Sequence, residues 1–258
     1  MLRQGKPMTE PRVPTIFSRR RASAKWARAQ SRRDRPDAAT YLADAMAEDI
    51  IERLEFMRAE PKNALVIGDT TGKLEQWLAQ RDGVGKFLVL GTFDEAQPWP
   101  RGELDLIVHI MGLGHVNDLP GALLHARAAL ADGGILMAAF PGAGSLPALR
   151  QIMLAADGER PAARMHPLVD NQAGAALLQR AGFKRQVVDS YPLHVRFSSF
   201  RRLVGDLRDH GMTSALAIEP GPVTKGAYQR ATEAFDALKD DTGKVSETVE
   251  VLTLTAWR

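Results

Sequence analysis

Cysteine is absent from all 258 residues, which excludes disulfides, thiolate zinc sites, iron–sulfur ligation and a cysteine nucleophile together. Long hydrophobic runs are absent as well: stretches such as Ile135 to Phe140 fall far short of the ~20 apolar residues that a membrane-spanning helix requires. No Ser-His-Asp order, paired-carboxylate spacing or Walker-type lysine turn occurs. Gly142-Ala143-Gly144-Ser145 lacks the glycine–serine–glycine frame of a nucleophile elbow, which argues against acyl hydrolysis. His166 and His194 have no second ligand at metal spacing, and His109, His125 and His210 fall on predicted strands or helices.

What is present suits one α/β domain with appendages: 45% hydrophobic residues, 25% charged residues and 22 glycines. The net charge of +3 conceals an asymmetry. Residues 1–36 carry eleven Lys/Arg against two acids, while the remaining 222 hold 23 basic and 29 acidic side chains. The expected organisation is therefore a basic N-terminal arm over 1–36 and a globular domain over 37–258. Within the arm Arg19, Arg20, Arg21, Lys25, Arg28, Arg32, Arg33 and Arg35 recur at helical intervals with Phe17 and Trp26 among them. Four readings of the arm stand side by side: a targeting presequence, a membrane-surface or acidic-partner helix, a nucleic-acid contact, and a solvated basic helix packed at the domain edge. With Phe17 and Trp26 as its aromatics, the arm argues against base stacking on a nucleic acid.

Along the domain, Leu42, Met46, Ile50, Ile51, Leu54 and Met57 keep the three-to-four spacing of one helix face. The run Ala64 to Ile67, ending at Gly68 and followed by a helical stretch near Lys73 to Gln80, reads as strand, tight turn and helix. Phe87–Leu90, Leu104–His109 and Gly134–Phe140 predict further strands buried on both faces. The Leu119–Leu130 helix fits between the last two, with Asp132-Gly133-Gly134 as its stop. Helices are predicted over 170–180, 200–210 and 228–239, and strands over 183–191 and 249–257. Such alternation implies a doubly wound sheet, with ligands at the carboxyl ends of its strands. The first strand–helix turn, Gly68-Asp69-Thr70-Thr71-Gly72, is the leading anion or nucleotide site.

Three segments carry a resemblance: Leu104–Val108, Leu113-Gly114-His115-Val116-Asn117-Asp118-Leu119-Pro120, and Leu130–Leu136. Ile16-Phe17-Ser18-Arg19-Arg20, Phe140–Arg150, His166-Pro167 and Leu178-Gln179-Arg180-Ala181-Gly182-Phe183 extend it from about residue 16 to 210. The sequence resembles class I S-adenosylmethionine methyltransferases. Specifically it resembles the mitochondrial complex I assembly-factor branch with its alphaproteobacterial relatives, which are similar to the malonyl-carrier methyl ester enzyme of biotin synthesis. The resemblance implies a Rossmann-like, mostly parallel sheet with helices on both faces and S-adenosylmethionine as cofactor. It also implies a cofactor site at Gly68, Asp69, Thr70, Gly72, Gly91, Thr92, Asp94, Met111 and Gly112.

The sequence departs from the family pattern at both acidic anchors. Val66 stands where the family keeps its leading acid, Thr70 replaces the middle glycine, and Asp94 falls several residues late for the ribose acid. Each lost carboxylate costs ~1–3 kcal/mol where its partners stay buried, and ~1.4 kcal/mol is tenfold in affinity. The cofactor is thus expected to bind weakly. Only 32 residues separate Gly72 from Asp105, against ~30 for one complete crossover, so one strand–helix segment of the usual sheet is expected to be missing.

His115 is the acid–base candidate, with a packing wall beside the cofactor as the competing role; Asn117 and Asp118 read as caps for the following helix. Two functions follow from the resemblance. One is methyl transfer to a protein or small acidic substrate, a reaction that needs mainly orientation. The other is a repurposed assembly factor of the respiratory complex I type, whose eukaryotic member is linked to arginine hydroxylation. Either way a protein client is expected, together with an acidic partner or membrane surface for the arm. The expected location is the bacterial cytoplasm, peripheral to the membrane, or the mitochondrial matrix in a eukaryote.

Overall fold

The computed structural model describes residues 14–99 and 103–258, so the first part of the basic arm, 1–13, lies outside the described residues. Six strands form one sheet in the order β2-β1-β3-β4-β6-β5. β1 (Asn63–Ile67), β2 (Val84–Leu88), β3 (Leu104–Ile110) and β4 (Leu130–Pro141) run parallel, and β6 (Val245–Trp257) lies antiparallel between β4 and β5 (Arg185–Phe197). The parallel strands carry the fully buried Val66, Ile67, Ile107, Val108, Leu136 and Met137, as expected for a sheet covered on both sides.

β6 shows how the two faces are filled, because successive side chains point to opposite sides. Thr253 Oγ1 donates to Asp49 of α2 (Tyr41–Phe56), whereas Leu252 and Leu254 reach Gly174 of α6 (Asn171–Arg180). α2 and α6 therefore cover opposite faces. A cross-link tightens the α2 side: the Arg53 guanidinium grips Asp189 of β5 through two 2.9 Å hydrogen bonds and also pairs with Asp49.

Most strands and helices fall where the pattern predicts, but β2 begins three residues before the predicted Phe87–Leu90 and, as an edge strand, is not buried on both faces, and three further differences stand out. The Leu119 helix, α4, ends at Ala129, and Asp132-Gly133-Gly134 lies inside β4, where the pairing with β3 slips between Leu104 and Leu106. The glycines thus turn a bulge, with Gly133 at φ 80°. A helix absent from the sequence reading, α5 (Pro147–Asp157), follows β4 and packs against α8 (Lys225–Ala237). β5 and β6 each run for 13 residues, well beyond the predicted spans, because each pairs along its whole length with the other.

The segment between β2 and β3 contains neither strand nor helix among its described residues. It passes from the sheet edge over β1 in bends and turns, which is the expected shortening by one strand–helix unit. The path is held by Trp99, buried, whose indole donates to Glu95 O at 3.1 Å, and by Glu95 itself, 3.2 Å from the buried His109.

Candidate functional site

Because the chain leaves β1 for β2 on one side and β3 on the other, the sheet has its switch point at the carboxyl end of β1, the usual ligand crevice of such folds. Gly68 makes the turn there at φ 86°. A β-carbon on it would stand 2.5 Å from Ile110 O and press on Leu90, so only glycine fits. Gly72 caps α3 (Lys73–Ala79) at φ 73°. Asp69 Oδ2 accepts from the Glu75 amide, while Asp69 Oδ1 and Thr71 Oγ1 are buried without a partner. Val66 and Ile67, at the end of β1 where an acid would be needed, are wholly buried apolar side chains.

The crevice is taken up by the chain's own α1 (Arg19–Gln30). Ser18 caps this helix, and a buried stripe of Lys25, Trp26 and Ala29 faces inward while Arg19, Arg20 and Arg28 face out. A β-carbon on Gly91 would lie 3.2 Å from Trp26 Cβ and 3.3 Å from Ser23 Cα, and one on Gly211 would collide with the indole at 2.3 Å. Both glycines are thus the floor on which Trp26 rests. Of the nine predicted cofactor residues, five line the space on either side of that indole, and Gly68, Asp69, Gly72 and Thr92 line neither part. Thr70, Leu90 and Met111 line a remnant of about 40 Å³, and Gly91, Asp94 and Gly112 line another of about 120 Å³. Asp94 is engaged by Arg19 at 2.6 Å, and Thr92 Oγ1 donates to Val89 O.

Beside Trp26 lies a buried polar cluster that fixes its own protonation. The Ala215 amide donates to His166 Nε2 at 2.8 Å, so the proton of neutral His166 sits on Nδ1 and is donated to His115 Nε2 at 2.9 Å. Lys25 Nζ lies 3.0 Å from the same His115 nitrogen, whose single lone pair the His166 proton already occupies, and stands 4.3 Å from the Trp26 ring centre. No carboxylate pairs with Lys25 among the described residues. Burial pushes its amine well below the ordinary lysine range. Burial, reinforced by Lys25, likewise holds His115 well below the histidine range and His166 at about 4. Phe17 closes the cluster edge-on against both imidazoles.

Asn117 does not cap a helix; Asp118 does, accepting from the Gly121 amide. Asn117 Oδ1 instead accepts from the amides of Ile16 and Phe17, each at 2.8 Å, and its Nδ2 donates to Phe17 O. Phe17 also bridges to Leu216, and Ser18 N donates to Ala215 O. The Ile16-Phe17 motif is therefore a clamp that seats α1. Sequence reasoning missed Lys25, Asn117 and the partnership of the two histidines. The three-to-four spacing of Ala22, Trp26 and Ala29, masked by the surrounding arginines, was the available signal for a buried helix face.

On the far side of the histidine pair opens a cavity of about 380 Å³, lined mainly by aliphatic and methionine side chains together with Arg21, Arg164, His115 and His166.

The chain matches the family described as "Methyltransferase domain" over residues 33–188, well over half its length. It belongs to that family. Among curated relatives, the mitochondrial arginine-hydroxylase NDUFAF5 of Homo sapiens is 24% identical, over 97% of this chain and 79% of that protein. A malonyl-[acyl-carrier protein] O-methyltransferase of Gallionella capsiferriformans is 26% identical over 86% of each chain. Among solved structures, the Burkholderia thailandensis 1,6-didemethyltoxoflavin-N1-methyltransferase, with 1,6-didemethyltoxoflavin and S-adenosylhomocysteine bound, superposes with a TM-score of 0.51 at 13% identity, covering 98% of this chain and 93% of that one. This likeness shows the fold, the Rossmann-like sheet of class I methyltransferases. The protein is S-adenosylmethionine-dependent-methyltransferase-like, and the methyl donor is its family's cofactor.

As folded here, the crevice does not fit that donor. Drug-sized ligands occupy pockets of roughly 300–1,000 Å³, while the remnants around Trp26 are about 40 and 120 Å³. The unpartnered atoms of Asp69 and Thr71 have the polarity a donor's amino-acid end would meet, but the volume is taken. No helix among the described residues is long and apolar enough to cross a membrane.

Proposed function

We propose that the protein is a methyltransferase-fold factor that holds a protein client, of the complex I assembly type, and whose donor crevice is closed by α1 in the free chain. In this reading residues 1–36 are the regulatory arm of a methyltransferase-like domain over 37–258. The seating of Trp26 on Gly91 and Gly211 carries the reading, and the full-length similarity to a mitochondrial arginine-hydroxylase supports it. Arg20 and Arg28, exposed on the outer side of α1, suit an acidic client or an anionic membrane surface. The corresponding location is peripheral to a membrane, in the bacterial cytoplasm or the mitochondrial matrix.

Calorimetric titration of the full chain with S-adenosylmethionine tests this. Binding no tighter than about 1 mM, some −4 kcal/mol, is expected, and a micromolar dissociation constant overturns the closed crevice. A second reading is favoured by the unpartnered Asp69 Oδ1 and Thr71 Oγ1: client binding draws α1 aside and the donor then enters for methyl transfer. Donor binding that appears only when client is present distinguishes it.

A further inference from the structure

We propose that the cavity beyond His115 and His166 is a binding site for a small amphipathic carboxylate, an apolar body with one anionic head, and that it excludes a guanidinium. The inference goes beyond the reading above and does not rest on it, since this cavity is separate from the crevice that α1 fills.

At about 380 Å³ the cavity holds a ligand of drug size. Its wall is apolar over most of its extent, with Leu149, Met153, Phe200 and Val204 contributing from α5 and α7 (Phe200–Asp209). Burying an alkyl or ring body there is favourable at ~25 cal/mol per Å² of apolar surface. The charged lining residues are all basic: no Asp or Glu lines the cavity among the described residues. His115 and His166 are neutral, with their facing nitrogens committed to each other, and so form an uncharged wall.

The two arginines are not equivalent. Arg164 is fully engaged: it grips the buried Asp157 with Nε and donates from Nη1 to Gly221 O, which makes it part of the frame. Arg21 pairs at 2.7 Å with Glu219, whose side chain is 72% exposed. Such an exposed pair is weakly held, so Arg21 can exchange Glu219 for a ligand carboxylate inside the mouth, where the surroundings are drier and the charge-assisted bond stronger. An arginine side chain entering the same cavity meets Arg21 and Arg164, and the nearby carboxylates, Glu219 outside the lining and Asp157 behind it, are each already paired with one of those arginines, so its charge is buried without a partner among the lining residues, at a cost. Arginine hydroxylation, the activity in the name of one relative, therefore does not carry over to this cavity.

The test is titration of the full chain with decanoate, decylammonium and N-acetylarginine amide, followed by calorimetry. Decanoate is expected to bind at least tenfold more tightly than decylammonium, with no binding of the arginine derivative. Arg21→Gln is expected to weaken decanoate about tenfold while leaving the melting temperature in place. Met153→Trp, which fills the cavity from α5, is expected to abolish decanoate binding. Equal affinity for the two decyl probes, binding of the arginine derivative, or decanoate affinity untouched by either folded variant overturns the proposal.

Discussion

Lys25 Nζ lies 3.0 Å from His115 Nε2, and that nitrogen is the one acceptor the buried amine finds among the described residues. The same imidazole nitrogen already receives the proton of His166. Lys25 is therefore held in place at a net cost. Replacing it by methionine removes a buried ionisable group, keeps the aliphatic contact with Trp26, and leaves His115 partnered. Lys25→Met is expected to stabilise the protein by about 1 kcal/mol or more at neutral pH. Thermal denaturation reads this as a rise of roughly 2–4 °C per kcal/mol. The folded-state amine is shifted below its unfolded value of 10.5, so the wild-type penalty grows as pH falls below that value. The gain should accordingly shrink toward pH 10.5, and a gain independent of pH would contradict the assignment.

Burial holds both His166 and His210 at about 4. Above about pH 6.5, the ordinary histidine value, each is neutral whether the chain is folded or not and the full stability is present. As pH falls from there to about 4, the unfolded chain takes up protons that the folded chain refuses. Stability should decline across that window by up to about 1.4 kcal/mol per pH unit for each histidine. Denaturant unfolding at half-unit steps measures it. Carboxylates whose affinity for protons is lowered, such as Asp157 and Glu95, act only below their own normal range, whereas burial raises Asp206 and Glu247, which work in the opposite sense to the histidines. A level profile between pH 6.5 and 4.5 that stays level in Asp206→Asn and Glu247→Gln, which remove the opposing carboxyls, would mean that the histidines are not buried as described.

Trp26→Ala should cost about 3–5 kcal/mol, as for a buried aromatic truncated in a core, and should also enlarge the space between Gly91 and Gly211. If the indole is what keeps the methyl donor out, the variant gains measurable affinity for S-adenosylmethionine by calorimetry. A folded variant that still fails to bind would place the loss instead on the missing acids at Val66 and after β2.

Asn117→Ala removes three hydrogen bonds to the backbone of Ile16 and Phe17. The seat of α1 should loosen before the body does. Trypsin is expected to cut after Arg19 or Arg20 at least tenfold faster than in the parent chain, with the sheet's thermal transition lowered by only about 1–3 kcal/mol. Unchanged cleavage kinetics would mean that Phe17's packing alone seats the helix.

The sheet was readable because its strands are buried on both sides and therefore announce themselves as uninterrupted apolar runs, as at Ala64–Ile67 and Leu104–His109. The absence of a strand–helix unit before Asp105 followed from chain length alone. α5 escaped because its start, Leu146 in the left-handed region at φ 60° followed by Pro147, reads locally as a loop. The residues of the glycine turn were legible as a group, since turn geometry is local. What fills the space in front of them was not: the contact between Trp26 and Gly91 spans 65 positions and is created only when α1 folds back over the sheet. Likewise His115 and His166 look solitary in the sequence, 51 positions apart, and become a pair only through the loops that carry them.

The bare crossing from β2 to β3 has a mechanical consequence. With no helix among the described residues of that link, β2 is a five-residue margin bonded on one side to β1, and Val84 at its start and Val89 just past its end are 71% and 46% exposed. Amide protons of this margin should exchange with solvent well before those of β3, β4 and β6, so that the protein opens by peeling from the β2 side while the β4-β6-β5 wall, and the cavity beside it, stays shut.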